Sequence, residues 1–214
     1  MQDDEIQAGL SSADDAERLR AVRYLAEHEA RPAFFQPLTN RIADAHEHIR
    51  FFALTALVRR YPEQLRADAT RLVPLLMERL LDANGTVTDR ALWALNITGE
   101  TALPQLLAAT EDPNVRMRKM ATGALARNHQ MHVATEVALP ALLRRLDDED
   151  EGVRFTALGE VMDLTPLRPW GSLPGGDFEP IYVRLLPVAE YFSRHPNPNY
   201  QEWGGFLLKL LMER

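Results

Sequence analysis

The residues in this chain best suited to chemistry are its six histidines, two pairs of which have metal-like spacing. His46-x-His48 and His129-x-x-His132 would each bring two imidazoles within reach of one ion. A zinc site needs four ligands, or three and a water. Neither pair comes with the cysteine or carboxylate set that would complete one. The His46 pair falls in a turn and helix start, where a solvated role is expected. The chain has no cysteine, which removes thiolate metal sites, cysteine nucleophiles and disulfides together and fits a reducing compartment. The sequence contains no GxxxxGK[ST], no GxSxG elbow and no HExxH. GSLPGGD, residues 171–177, is glycine-rich but lacks the lysine and preceding strand of a phosphate loop, so it reads as a connection. No metal or cofactor is expected, and no residue is assigned a catalytic role.

The elements that position these residues follow a repeat. Its template has Asp at −5, an aliphatic residue at 0, Arg at +1, and small residues at +4 and +7. Zeroed on Ile49, it reads Asp44, Arg50, Ala53, Ala56 and Leu57. On Val87 it gives Asp82, Thr88, Ala91, Ala94 and Leu95; on Met117, Asp112, Arg118, Ala121, Ala124 and Leu125. On Val153 it gives Asp148, Arg154, Ala157, Glu160 and Val161. A degenerate first copy is placed on Leu19, with Asp14, Arg20 and Ala26 in position but Arg23 at +4. Positions 0, +4, +7 and +8 share one helix face, and small residues there allow close helix approach. The Asp precedes the helix, where it caps the helix or meets a repeat Arg. Second apolar helices are expected at about 31–43, 63–81, 99–110 and 133–146. Each unit is thus a helical hairpin that cannot bury its apolar face alone.

This pattern resembles the HEAT-repeat family, especially the short bacterial HEAT-like repeats also seen in phycobilin lyases. The resemblance rests on the five Asp-to-Arg segments and covers about residues 1–164. It implies an all-α fold, a right-handed α-α superhelix of about five helical hairpins. Asp44, Arg50, Asp82, Asp112, Arg118, Asp148 and Arg154 become a structural Asp/Arg ladder, with local breaks at Thr88, Glu160 and Arg23. In such arrays the template helices line a concave surface, so their non-core face is the expected binding face. Positions +2, +5, +6 and +9 supply Tyr24, Phe51, Thr55, Asp89, Trp93, Asn96, Lys119, Phe155 and Met162. Tyr24, Phe51, Trp93 and Phe155 would form an aromatic stripe of the kind enriched at interface centres, unless neighbouring helices bury them. Arg20, Arg59 and Arg127 border the same face. The acidic run Asp147–Glu151 reads as a solvated turn at a helix N-terminus.

The pattern stops after Leu164. Residues 165–178 are rich in proline and glycine and exclude regular helix. Two helices are expected beyond, at about 179–194, with Pro187 inside, and 199–213. They carry Tyr182, Tyr191, Phe192, Tyr200, Trp203 and Phe206, and residues 179–214 are expected to cap the last apolar face of the array. Trp170 in the loop is a further contact candidate.

The 214 residues carry a formal net charge of −7, a balance opposed to gripping phosphates, so nucleic acid is not the expected partner. No apolar run is long enough to span a membrane, the start carries no signal-peptide pattern, and a cytoplasmic monomer is expected. Alkylpurine DNA glycosylases share the HEAT-like architecture, and Asp89 with Trp93, one helical turn apart, echoes their carboxylate and tryptophan. The charge is wrong for that chemistry, and nothing identifies a tetrapyrrole pocket for lyase activity. The favoured reading is a non-catalytic scaffold or adaptor that holds a protein, one form of which is an inhibitor or immunity protein of a bacterial toxin.

Overall fold

The computed structural model describes residues 1–132, 135–171, 173 and 175–214, with side chains described for all of these except 129–132, 135 and 136. The His129–His132 pair therefore lies outside the described side chains. By their internal contacts the residues divide into two units, Met1–Ala102 and Leu103–Arg214. Among the described residues there is no strand, and no helix is long and apolar enough to cross a membrane.

The first unit contains α1 (Asp3–Ser11), α2 (Asp15–Glu27), α3 (Phe35–Asn40), α4 (Glu47–Arg60), α5 (Pro62–Ala67), α6 (Ala69–Arg79) and α7 (Gly85–Thr98). The template helices pack in series, α2 on α4 and α4 on α7, with α1 against α2 and α6 against α7. The second unit contains α8 (Leu103–Ala109), α9 (Val115–His132), α10 (Thr135–Arg144), α11 (Glu151–Leu164), α12 (Glu179–Ser193) and α13 (Pro198–Met212). Here α9 packs on α11, α8 and α10 flank α9, α12 covers α11 and α13 covers α12.

The repeat template explains the core. Ile49, Val87 and Val153 at position 0 are fully buried, as are Ala53, Ala91, Ala121 and Ala157 at +4 and Leu57, Leu95, Leu125 and Val161 at +8. Each aliphatic side chain of this kind contributes roughly 1.5–3 kcal/mol on burial. The alanines let the helix axes come close enough to achieve it.

Every template helix begins the same way. The residue two positions after the repeat Asp caps the helix: His46 accepts from His48 N–H, Asn84 from Thr86 N–H, Asn114 from Arg116 N–H and Asp150 from Val153 N–H. The repeat Asp in turn accepts the cap residue's own N–H, at 2.7–3.0 Å in the four copies. A three-residue bracket thus satisfies the orphan donors of the first turn.

This bracket corrects the register of the first copy. Asp14 caps α2, accepting from the N–H groups of Ala16 and Glu17, so it occupies the cap position and not the ladder position. The ladder place belongs to Ser12, whose hydroxyl accepts the Asp14 N–H at 3.1 Å. The repeat arginine is then Arg18, not Arg20, and Ala21, fully buried, stands at +4. Two candidate arginines two residues apart made the sequence ambiguous here, and the cap bracket resolves it.

The second helices follow the expectation with one division. The stretch expected at 63–81 breaks at Asp68, whose carboxylate binds Arg71 and Gln36 in place of the helix it interrupts. The loop after Leu164 folds back on the end of α11: Gly171 N–H donates to Arg168 O and Leu173 N–H to Leu164 O, both at 3.0 Å. A Cβ on Gly171 would lie 2.0 Å from Thr165 O, so only glycine permits this turn.

Candidate partner-binding face

The ladder is the rigid frame behind the face. Arg18 grips Asp44 through Nε and Nη2 at 2.9 and 3.2 Å, Arg50 grips Asp82 at 2.7 and 2.8 Å, and Arg118 grips Asp148 at 3.1 and 3.1 Å. Each is a two-pronged contact between the arginine of one repeat and the aspartate of the next. The remaining Nη1 donates to two carbonyls of the arginine's own turn, Ser12 and Ala13, Asp44 and Ala45, or Asp112 and Pro113. Burial alone would raise the carboxyls of Asp44, Asp82 and Asp148. The arginine hydrogen bonds, the cap N–H groups and the arginine charges outweigh it and hold all three below the ordinary carboxylate range.

The other ladder residues behave differently. Thr88 reaches only its own turn, its hydroxyl donating to Asp82 O at 3.4 Å. Asp112 accepts the Asn114 N–H. Arg154 donates to Asp148 O and Glu149 O, and its guanidinium lies 5.3 Å from the Tyr191 ring centre. A second arginine, three residues before the aspartate, was not singled out from sequence. Arg41 binds Asp44 and Arg145 binds Asp148, each at 3.1 Å, and Arg79 stands 3.9 Å from Asp82. Its signal is legible in retrospect as Arg-x-x-Asp in three of the copies.

The expected surface residues separate into three groups. Thr55, Asn96 and Met162 are buried and present nothing to a partner; position +9, and +6 on α4, turn into the packed side. Phe155 is half-buried in an aromatic cluster, 4.9 Å from Phe192 and 4.6 Å from Tyr200 between ring centres, which ties α11 to the cap. Tyr24 stacks on His28 at 3.8 Å, and its hydroxyl accepts from Arg31. In the corrected register it sits at +7, so it leaves the stripe. Lys119 is half-buried on α9. Trp170 is 54% exposed in the loop.

In the first unit a compact set remains. Trp93 is 42% exposed on α7. Arg90, one turn before it, lies 5.9 Å from the Phe51 ring centre, Phe51 meets Phe52 edge to face at 5.0 Å, and Arg23 of α2 lies 5.8 Å from Phe52. Asp89 is half-exposed, 3.8 Å from Arg90. Two rings of α4 are therefore flanked by cations from α2 and α7, where the sequence reading expected aromatics alone. Among the described residues no three His, Cys, Asp or Glu side chains gather where they would hold a metal.

Comparison with known proteins places this framework. Residues 73–162 match the family of HEAT repeats. No curated protein matches the chain in sequence. Among solved structures, the MAST/Orbit N-terminal domain is similar over 100% of this chain and 98% of its own, with 16% identity and a TM-score of 0.61. An engineered protein is similar over the full length of both chains, with 17% identity and a TM-score of 0.53. Cex1p is similar over 97% of this chain and 41% of its own, with 15% identity and a TM-score of 0.55. At these identities the likeness shows the fold alone, an all-α helical-repeat fold.

Proposed function

We propose that this chain is a non-catalytic binding protein and that the face of α2, α4 and α7 holds a segment of a partner protein. The observation that supports this reading most is Trp93. A tryptophan on a template helix, exposed at 42%, stands beside the run Arg90, Phe51, Phe52 and Arg23 on a frame fixed by buried ion pairs. Aromatic and arginine side chains on a rigid support are the side chains that most often dominate interface energetics. Protein is favoured over nucleic acid because the chain carries a formal net charge of −7 and Arg23 is already paired with Glu27 at 3.0 Å. The ladder aspartates serve the frame, so they are not part of the binding chemistry.

The test is affinity capture from cells of the source organism, with the retained protein identified and its affinity measured for wild type, Trp93→Ala and Arg23→Ala. Trp93→Ala is expected to weaken the complex at least tenfold while leaving helicity unchanged. Equal affinity for all three proteins would overturn the assignment of this face. Binding of duplex DNA that weakens steeply with salt would overturn the preference for protein.

A further inference from the structure

A second surface, separate from the α2–α4–α7 face, lies on the last helix of the second unit. Trp203 and Phe206 of α13 are 54% and 42% exposed, and their rings meet edge to face with centres 5.9 Å apart. With Glu202 they line a pocket of about 220 Å³. That volume is below the range of sites that enclose a whole small molecule, about 300–1,000 Å³, and suits one long side chain.

The surface already binds a cation of its own. Arg168, in the loop after α11, lies 4.5 Å from the Trp170 ring centre and 5.5 Å from that of Phe206. Its Nε donates to Asp163 at 2.7 Å. One guanidinium is thus held between two rings and balanced by one carboxylate. Phe206 is shared: Arg168 already meets its ring, and the Trp203 ring beside it borders Glu202 in the pocket. Glu202 makes no hydrogen bond or ion pair among the described residues. The packing of α13 on α12 fixes the helix that carries both rings.

We infer that Glu202, Trp203 and Phe206 form a socket for a lysine or arginine side chain of a partner protein segment. The carboxylate supplies the charge complement and the Trp203 ring supplies the cation–π face. An acidic occupant would be repelled by Glu202, and an apolar one would gain nothing from its charge. The socket is distinct from the face proposed above, so either assignment can fail without the other.

The probe is an N-acetylated hexalysine peptide, with the fully side-chain-acetylated hexalysine as a neutral control of the same backbone. Binding is followed through the indole N–H signals of Trp93, Trp170 and Trp203 in NMR at physiological salt. Hexalysine is expected to shift Trp203 most, with Trp93 unmoved. Glu202→Gln and Trp203→Ala are each expected to weaken binding at least fivefold. Both positions are exposed, and unchanged helicity and unfolding midpoint would show that each variant is folded. Equal binding of the acetylated peptide, or undiminished binding by Glu202→Gln, would overturn the cation assignment. A shift of Trp203 with protein concentration alone would assign the patch to a second copy of the chain instead. A shift confined to Trp93 would leave the first face as the site and remove this one.

Discussion

Replacing Arg118 by alanine tests the ladder most directly. Arg118 makes five hydrogen bonds: two to Asp148, one to Glu149 and two to the carbonyls of Asp112 and Pro113. The side chains of Arg118 and Asp148 are only 7% and 3% exposed. Removing one partner of a buried pair costs about 3–5 kcal/mol, because the other charge is left behind without its complement. Asp148 keeps Arg145 at 3.1 Å and the Asp150 N–H at 3.0 Å, which places the expected loss near the lower end, about 3 kcal/mol. Arg154→Ala is the internal reference. It removes two bonds to neutral carbonyls and the contact with Tyr191, with no aspartate stranded, and should cost about 1 kcal/mol. The assay is urea denaturation of single-tryptophan variants, Trp93 reporting on residues 1–102 and Trp203 on residues 103–214. The loss should appear in the Trp203 transition. Asp148 is held below the ordinary carboxylate range in the folded chain. Its contribution is therefore present above about pH 4 and is lost as the pH falls below that, so the gap between wild type and Arg118→Ala should narrow in acid. If Arg118→Ala costs no more than Arg154→Ala at pH 7, the pairing does not stabilise the repeat and the ladder argument fails.

Other outcomes follow from the same packing. Glu160 on α11 is pushed up to about 7, by burial first, with Asp163 adding to the rise and the Arg127 charge opposing it. A raised carboxylate stabilises the fold below its unfolded value of about 4.5 and loses that contribution as the pH rises to about 7. Glu160→Gln should therefore add about 3 kcal/mol of stability at pH 8 and nothing at pH 4, read as the pH dependence of the unfolding midpoint. A Cβ on Gly204 would lie 2.5 Å from the Phe192 carbonyl carbon and 2.6 Å from its Cβ, whereas one on Gly205 meets nothing within 4 Å. Gly204→Ala should cost at least 2 kcal/mol by forcing α12 and α13 apart, while Gly205→Ala should gain roughly 0.5–1 kcal/mol from helix propensity. Thermal melts of the two variants shifting in the same direction would contradict the packing described for this pair.

The parts legible in the sequence were those whose signal is periodic. Aliphatic and small residues recur at fixed offsets because helices must approach closely at each repeat, so the core face could be read from Ile49, Ala53 and Leu57 alone. The first copy was misplaced because Arg18 and Arg20 stand two residues apart and Asp14 precedes both. Only the cap geometry shows that Asp14 is bound by its own helix. Thr55, Asn96 and Met162 were placed on the surface because an ideal helical wheel was applied to helices flanked on two sides, and that wheel underestimates the width of the buried stripe. The run of Arg23, Phe52, Phe51 and Arg90 was missed because its members come from different repeats. Their adjacency depends on the packing of α2, α4 and α7, which no linear spacing encodes.

The ladder also has a direction. Every rung runs from an arginine to the aspartate of the following turn, so the array has a donor end and an acceptor end, as a string of bar magnets has two unlike poles. Ser12 at the start offers no carboxylate to a preceding arginine. Arg154 at the other end is already anchored to its own turn through Asp148 O and Glu149 O and turns its remaining charge to Tyr191. A graft that replaces residues after Leu164 with another Asp-bearing hairpin would meet a ready-made donor, whereas the arginine of a graft before Ser12 would find no acceptor there. Lengthening this protein is therefore a one-ended operation, and the arginine marks the end at which to build.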